Sequence, residues 1–304
     1  MMNVPAWYAH GWNTTTSLRL ILTVVPRLPR WLVPPLAVVT SALCLASMTS
    51  ERRAARRNLR RILGGGGWRL ERRLWGLFYN FSRFMVGCCE LRDLAPERLA
   101  ERVAADPGGT ARISEALRRG RGLIVLTAHL GNWEVGTRML ASASGVPVNV
   151  AMRVDRSNAA ERWLLRARAR GGLRVLRLGE TPETVLALKA ALARNEILAM
   201  QGDRAIGDRS IEVLLLSAPF ALPRGPFLLA YACDATLLPV FVVQEGWGRY
   251  RSEIGVPVRF PRSAEREEDV RVGALQYASQ LEEVVRRHPD QWFNFFDLWP
   301  TDEA

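Results

Sequence analysis

The sequence predicts an α/β protein: a mixed, largely parallel sheet flanked by helices, with an N-terminal apolar helical segment. Three observations predict it. From residue 121 onward short apolar runs alternate with helical patterns, the order of a sheet built from βα units. At 304 residues and 48% hydrophobic, the chain can bury one large core. Residues 18–48 are largely apolar and are followed at once by an arginine-rich stretch. The composition changes near residue 50, so 1–50 reads as a membrane-associating segment and 51–304 as the main domain.

In the apolar segment, Arg19, Pro26, Arg27, Pro29 and Arg30 break the first half. Residues 31–48 carry no charge, but Pro34 and Pro35 confine a clean helix to 36–48. That stretch makes ~20 Å of helix against a hydrocarbon core of ~30 Å. Counted from Trp31, the run just spans. A tilted anchor, a monotopic helical hairpin and a plain buried helix all fit. No small-residue cleavage site follows, so it does not read as a secretory signal. Next, Arg52, Arg53, Arg56, Arg57, Arg60 and Arg61 recur in pairs every four residues. On a helix they form one broad basic stripe, with Leu59, Ile62 and Leu63 largely off it. A basic cluster after an apolar segment suits anionic headgroups on the cytoplasmic side; the plain alternative is a solvated helix face. Residues 64–67 are glycines and break the chain before a helix over 68–91.

The body then reads in order. Strands are expected at 123–126, 148–154, 173–176, 196–201, 213–216, 236–243 and 251–258. Helices are expected at 134–143, 158–170, 182–194, 226–233 and 265–287. No internal repeat, dinucleotide fingerprint or Walker loop occurs, and no Gly-x-Ser-x-Gly elbow marks a serine hydrolase. The formal net charge is +12, and Lys189 is the only lysine beside 41 arginines. That balance favours anionic partners: phosphorylated lipids, an acidic carrier protein or nucleic acid. Cys44, Cys88, Cys89 and Cys233 show no metal-ligand spacing and fit a reducing compartment.

The chemistry points to His129, one of three histidines. It stands in His129-Leu130-Gly131-Asn132-Trp133-Glu134, after an apolar strand and before a helix. Sites in open α/β sheets gather at the carboxyl ends of strands. On an unbroken helix a five-residue spacing leaves two side chains ~140° apart. With His129 in the turn and Glu134 in the first helical turn, they can converge. A carboxylate on one imidazole nitrogen fixes the tautomer and raises basicity at the other, which makes a general base. The plain alternative is a turn histidine beside a glutamate that favours the helix start.

These residues carry a resemblance. The segment His129–Glu134 resembles the HX4D/E motif of glycerolipid-type acyltransferases, in the glutamate form of the late acyltransferases of lipid A biosynthesis. Other matches follow in order: Arg57-Asn58-Leu59; Gln201-Gly202-Asp203-Arg204; Pro219-Phe220; Pro223-Arg224-Gly225-Pro226; Leu237-Leu238-Pro239-Val240; and His288-Pro289-Asp290-Gln291-Trp292. The resemblance covers roughly residues 50–295. One departure is Phe293 to Trp299, where the family carries an aromatic, His/Arg and Arg-Trp cluster.

The resemblance implies a glycerolipid acyltransferase-like fold and transfer of a fatty acyl chain from a thioester to a lipid hydroxyl. The donor is acyl carrier protein or acyl-CoA, and the acceptor a lipid A precursor or related glycolipid. His129 is the base and Glu134 orients it. Asn132, Arg153, Arg168, Arg170, Asp203 and Arg204 are substrate-binding candidates. Backbone amides near Gly131 or an arginine stabilise the oxyanion. Neither a metal nor a cofactor is needed, no nucleic acid is expected, and the site of action is the cytoplasmic face of the inner membrane. Two rivals remain at the level of sequence: a hydrolase or thioesterase using the same pair on water, and a non-enzymatic basic membrane-surface or nucleic-acid-binding protein.

Overall fold

The computed structural model describes residues 24–299 apart from 92, 93, 105, 154–164, 167, 170, 180 and 206–208. The expected helix over 158–170 therefore lies largely outside the described residues. Strand β2 (Leu123–Thr127) sits at the centre, and all five of its residues are buried. Parallel neighbours flank it on both edges and helices cover both faces, so its sequence is continuously apolar rather than alternating. Around it lie β1 (Val103–Ala104), β3 (Val148–Met152), β4 (Leu173–Arg177), β5 (Ile197–Gln201), β8 (Thr236–Gly246) and β9 (Arg249–Ile254). The order across the seven-stranded sheet is β1-β9-β8-β2-β5-β3-β4. From β8 to β4 every pairing is parallel; β9 runs antiparallel to β8 and carries short β1 with it.

The helices are α1 (Val33–Ser47), α2 (Thr49–Leu63), α3 (Trp68–Leu91), α4 (Pro96–Ala100), α5 (Pro107–Arg118), α6 (Trp133–Ala143), α7 (Pro182–Ala193), α8 (Gly225–Cys233) and α9 (Arg266–Arg287). Alternate side chains of β2 feed two cores. Ile124 and Leu126 join the larger one, with residues of α2, α3, α7, α8 and α9. Leu123 and Val125 join the smaller, with Ala116 of α5 and Leu140 of α6.

Two strand boundaries and one helix illustrate where the structure differs from expectation. The strand expected over 213–216 is β6 (Ser210–Leu215), paired with β7 (Ala218–Pro223). It stops because Leu216 and Ser217 take φ values of 54° and 60° in the hairpin turn. The strand expected to reach 258 ends at Ile254, and Val258 makes only a single bridge to Leu237. Helix α5 was not assigned from sequence. Its Pro107 and glycines resemble a turn, but Asp106 caps it by accepting from Gly109 N at 3.0 Å.

The N-terminal layer is a bent pair. Helices α1 and α2 meet at 95°, and no single helix among the described residues is long and apolar enough to cross a membrane. Helix α1 packs on α3 through Ala37 and Ser41, whose hydroxyl bonds Ala37 O and lies 2.8 Å from the Ser82 hydroxyl. It leaves Leu36, Val38, Val39 and Leu43 exposed, as is Trp31 in the turn before it. Helix α2 turns Ala55, Asn58, Leu59 and Ile62 inward. Its arginines are not one free stripe. Arg52 donates to Leu45 O, Arg56 pairs with Glu71, and Arg57 grips Asp297 through two bonds of 2.6 Å; Arg53, Arg60 and Arg61 are exposed.

Candidate active site

The register of the sheet builds the site. Strands β2 and β5 are parallel neighbours, with Thr127 opposite Gln201. Two residues beyond that pair stand His129 and Asp203, so both side chains emerge at the carboxyl edge. His129 Nδ1 lies 2.8 Å from Asp203 Oδ1, and His129 N donates to Asp203 Oδ2 at 3.0 Å. An ionised carboxylate can only accept, so Nδ1 carries the proton and Nε2 keeps the lone pair. The Asp203 side chain is fully buried, whereas 17% of the His129 side chain reaches solvent.

Burial opposes the charge on Asp203. His129, Arg204 and the Trp292 N–H outweigh it and hold the carboxyl well below the usual carboxylate range. Burial, then the Arg204 charge, pulls the His129 pKa down; Asp203 offsets this only in part. The imidazole is thus neutral at pH 7, the state in which it can accept a proton.

Glu134 takes a different partner from the one its spacing suggested. No hydrogen bond joins it to His129. Arg168 closes on it instead, Nε meeting Oε2 at 3.1 Å and Nη2 meeting Oε1. Both members are buried, with side chains 8% and 7% exposed. The carboxylate on the histidine is that of Asp203, 74 residues downstream.

The loop between His129 and α6 is held tightly. Asn132 is fully buried and caps the helix by accepting from Val135 N at 3.2 Å. Gly131 has φ 62°, and a Cβ there would stand 2.0 Å from Val242 O; only glycine fits. Gly131 N donates to Gln291 O and Asn132 N to Val242 O. Those two amides are spent on holding the loop in place.

The remaining candidates divide. Arg204 joins the histidine and aspartate; its Nε donates to Asn294 Oδ1 at 2.9 Å and its Nη2 to Phe293 O at 2.7 Å. Arg153 is exposed just past β3. Arg170 lies outside the described residues. The segment from Gln291 to Asn294, where the quoted His288–Trp292 motif runs into the departure that starts at Phe293, forms one wall. Phe293 N donates to His129 O, Leu130 bridges Trp292, and Trp292 Nε1 donates to Asp203 Oδ2 at 2.9 Å. The Gln291 amide is zipped to Gln244 through N–H and carbonyl bonds of 2.8 and 2.9 Å. Trp133 meets His129 edge-on, with ring centres 5.4 Å apart, and leans on Phe84 at 4.2 Å.

Residues 11–301 match the family described as bacterial lipid A biosynthesis acyltransferase. The chain is similar to a phosphatidylinositol mannoside acyltransferase of Mycobacterium tuberculosis (strain ATCC 25618 / H37Rv). The two are 26% identical over 250 residues, covering 81% of this chain and 77% of that protein. It is also similar to the phosphatidylinositol mannoside acyltransferase of Mycolicibacterium smegmatis, 26% identical over 189 residues, 62% of this chain and 60% of that protein.

Proposed function

Because the chain belongs to the bacterial lipid A biosynthesis acyltransferase family and is an acyltransferase, we propose that it moves a fatty acyl chain from an acyl thioester to a hydroxyl of a phosphorylated glycolipid, with His129 as general base. The carrying observation is the buried Asp203 on His129 Nδ1. It leaves Nε2 to take the hydroxyl proton as the acceptor oxygen attacks the thioester carbonyl. The new ester bond forms, the carbon–sulfur bond breaks, and the thiolate leaves with the proton that His129 returns. Arg204 stands beside the base and supplies positive charge for the oxyanion, a role that suits a fixed guanidinium. Glu134 and Arg168 brace the wall of the site. Acyl carrier protein and acyl-CoA both suit the chain's net positive charge, and a phosphatidylinositol mannoside or a lipid A precursor provides the acceptor hydroxyl.

The test is a transfer assay. Purified protein is given each acyl thioester with a dispersed glycolipid, and mass spectrometry reads the gain of one acyl chain. His129→Ala should lower transfer by ~10²–10⁴-fold, the usual worth of a general base. Equal thioester cleavage with and without lipid would make the protein a thioesterase.

The reading places the protein at the cytoplasmic face of the inner membrane. Support comes from Trp31 in the turn before α1 and from Val39 and Leu43 on the apolar face of α1, which are 73%, 53% and 57% exposed. The exposed Arg53, Arg60 and Arg61 of α2 follow it, a pairing of apolar insertion with headgroup attraction. Serine at Val39 and Leu43 should weaken co-sedimentation with anionic vesicles at all salt concentrations. Glutamine at Arg53, Arg60 and Arg61 should weaken it mainly at low salt. Unchanged binding in both variants would move the membrane contact elsewhere.

A further inference from the structure

The Asp203 carboxylate has more donors than a His–Asp pair requires. Oδ2 receives two N–H groups, from the His129 backbone at 3.0 Å and from the Trp292 indole at 2.9 Å, while Oδ1 alone faces His129 Nδ1. An unpinned carboxylate can turn about its Cβ–Cγ bond and exchange its oxygens. Here the His129 backbone donor holds one side of the carboxylate from the end of β2, and the indole closes on the same oxygen from elsewhere. It belongs to a separate element that is locked in place by the Gln291 amide on β8, by the Leu130 bridge and by the Tyr277-bearing helix α9 leading into it. Its ring packs against Phe220 and Trp299, with centres 6.1 and 6.3 Å away, and only 3% of the residue is exposed.

From this geometry we propose that Trp292 is a positioning residue for the acyl transfer: its indole N–H pins Asp203 so that the imidazole presents Nε2 to the acceptor hydroxyl. This rests on His129 being the base. The indole never touches substrate; it acts through the carboxylate. The same bond moderates the charge that Asp203 presents. The partial positive charge of the indole N–H beside Oδ2 draws electron density from Oδ1 and weakens the stabilisation of an imidazolium. Trp292 therefore trades base strength for a fixed direction of proton transfer.

Two substitutions separate this from simple core packing. Trp292→Phe removes the N–H and part of the ring. Site-specific replacement of Trp292 by 3-benzothienylalanine keeps ring size and removes only the N–H. Both proteins are assayed with acyl thioester and glycolipid across pH, alongside thermal melts and His129→Ala. Expected for the sulfur isostere is a loss in kcat of about ten- to a hundredfold, the worth of one hydrogen bond to a charged group, with KM for both substrates unchanged. The acidic limb of kcat/KM should move to higher pH, because the unrestrained carboxylate stabilises the imidazolium more. Wild-type kcat and an unmoved limb in the isostere, with Trp292→Phe merely melting earlier, would overturn the proposal and leave Trp292 as packing. Retained turnover in His129→Ala would instead remove the base reading itself, whatever the isostere does.

Discussion

Asp203→Asn should lower acyl transfer by ~10²–10⁴-fold while the sheet stays folded. The size of the effect follows from the two donors that converge on Oδ2, the His129 backbone and the Trp292 indole. An asparagine in that position must turn its carbonyl oxygen toward them, since its amide nitrogen would meet two N–H groups head-on. The NH2 group then faces His129 Nδ1, which must become an acceptor. The ring proton moves to Nε2, and the nitrogen that should take the hydroxyl proton no longer can. The wild-type enzyme should also keep its activity into mildly acidic solution, because burial and Arg204 hold the imidazole below its ordinary pKa of about 6.5. Its kcat/KM should fall only as pH drops through that lowered value. Near-normal turnover in Asp203→Asn, with an unaltered melting curve, would show that the pair is structural.

The second large effect concerns folding rather than chemistry. Arg168→Ala should destabilise the protein by ~3–5 kcal/mol, because it leaves the Glu134 charge buried and alone. Glu134→Gln should also destabilise the protein, because it removes the carboxylate that neutralises a buried guanidinium. Replacing both with leucine should recover most of the loss, since a buried pair gains little over apolar packing of like volume. Urea denaturation of the three variants measures this. If Glu134→Gln unfolds at the wild-type midpoint yet loses turnover with a changed pH profile, Glu134 takes part in the chemistry and the bracing role is wrong.

The buried strands were legible because a run such as Leu123 to Leu126, apolar at every position, has few other homes in an α/β chain. The His129 turn was legible too. Gly131 and Asn132 interrupt the apolar run, and Asn132 is a favoured cap for the helix that follows. The partner of His129 was not. Local spacing nominated Glu134, five residues away, whereas the true neighbour depends on which strand lies beside β2 and in what register. That is a fact about residues 74 apart in sequence. Asp203 was named as a candidate, but nothing near it in the chain says which histidine it meets. The arginines were harder still. With 41 in the chain, only tertiary packing separates Arg168, sealed against Glu134, from exposed Arg153. The Gln291 wall was quoted as a motif, yet its contacts run to β8 and to the loop after β2.

The tie between α2 and the segment after Trp292 has a kinetic consequence. Arg57 grips Asp297 across 240 residues of chain, and Asn58 bonds the backbone of Asn294, Phe296 and Leu298. Contacts of such long sequence separation carry a heavy loop-closure penalty and tend to form late. The wall that carries Trp292 is anchored by them. During refolding, secondary structure and the burial of β2 should therefore recover ahead of turnover, and catalytic competence is the last property this polypeptide acquires.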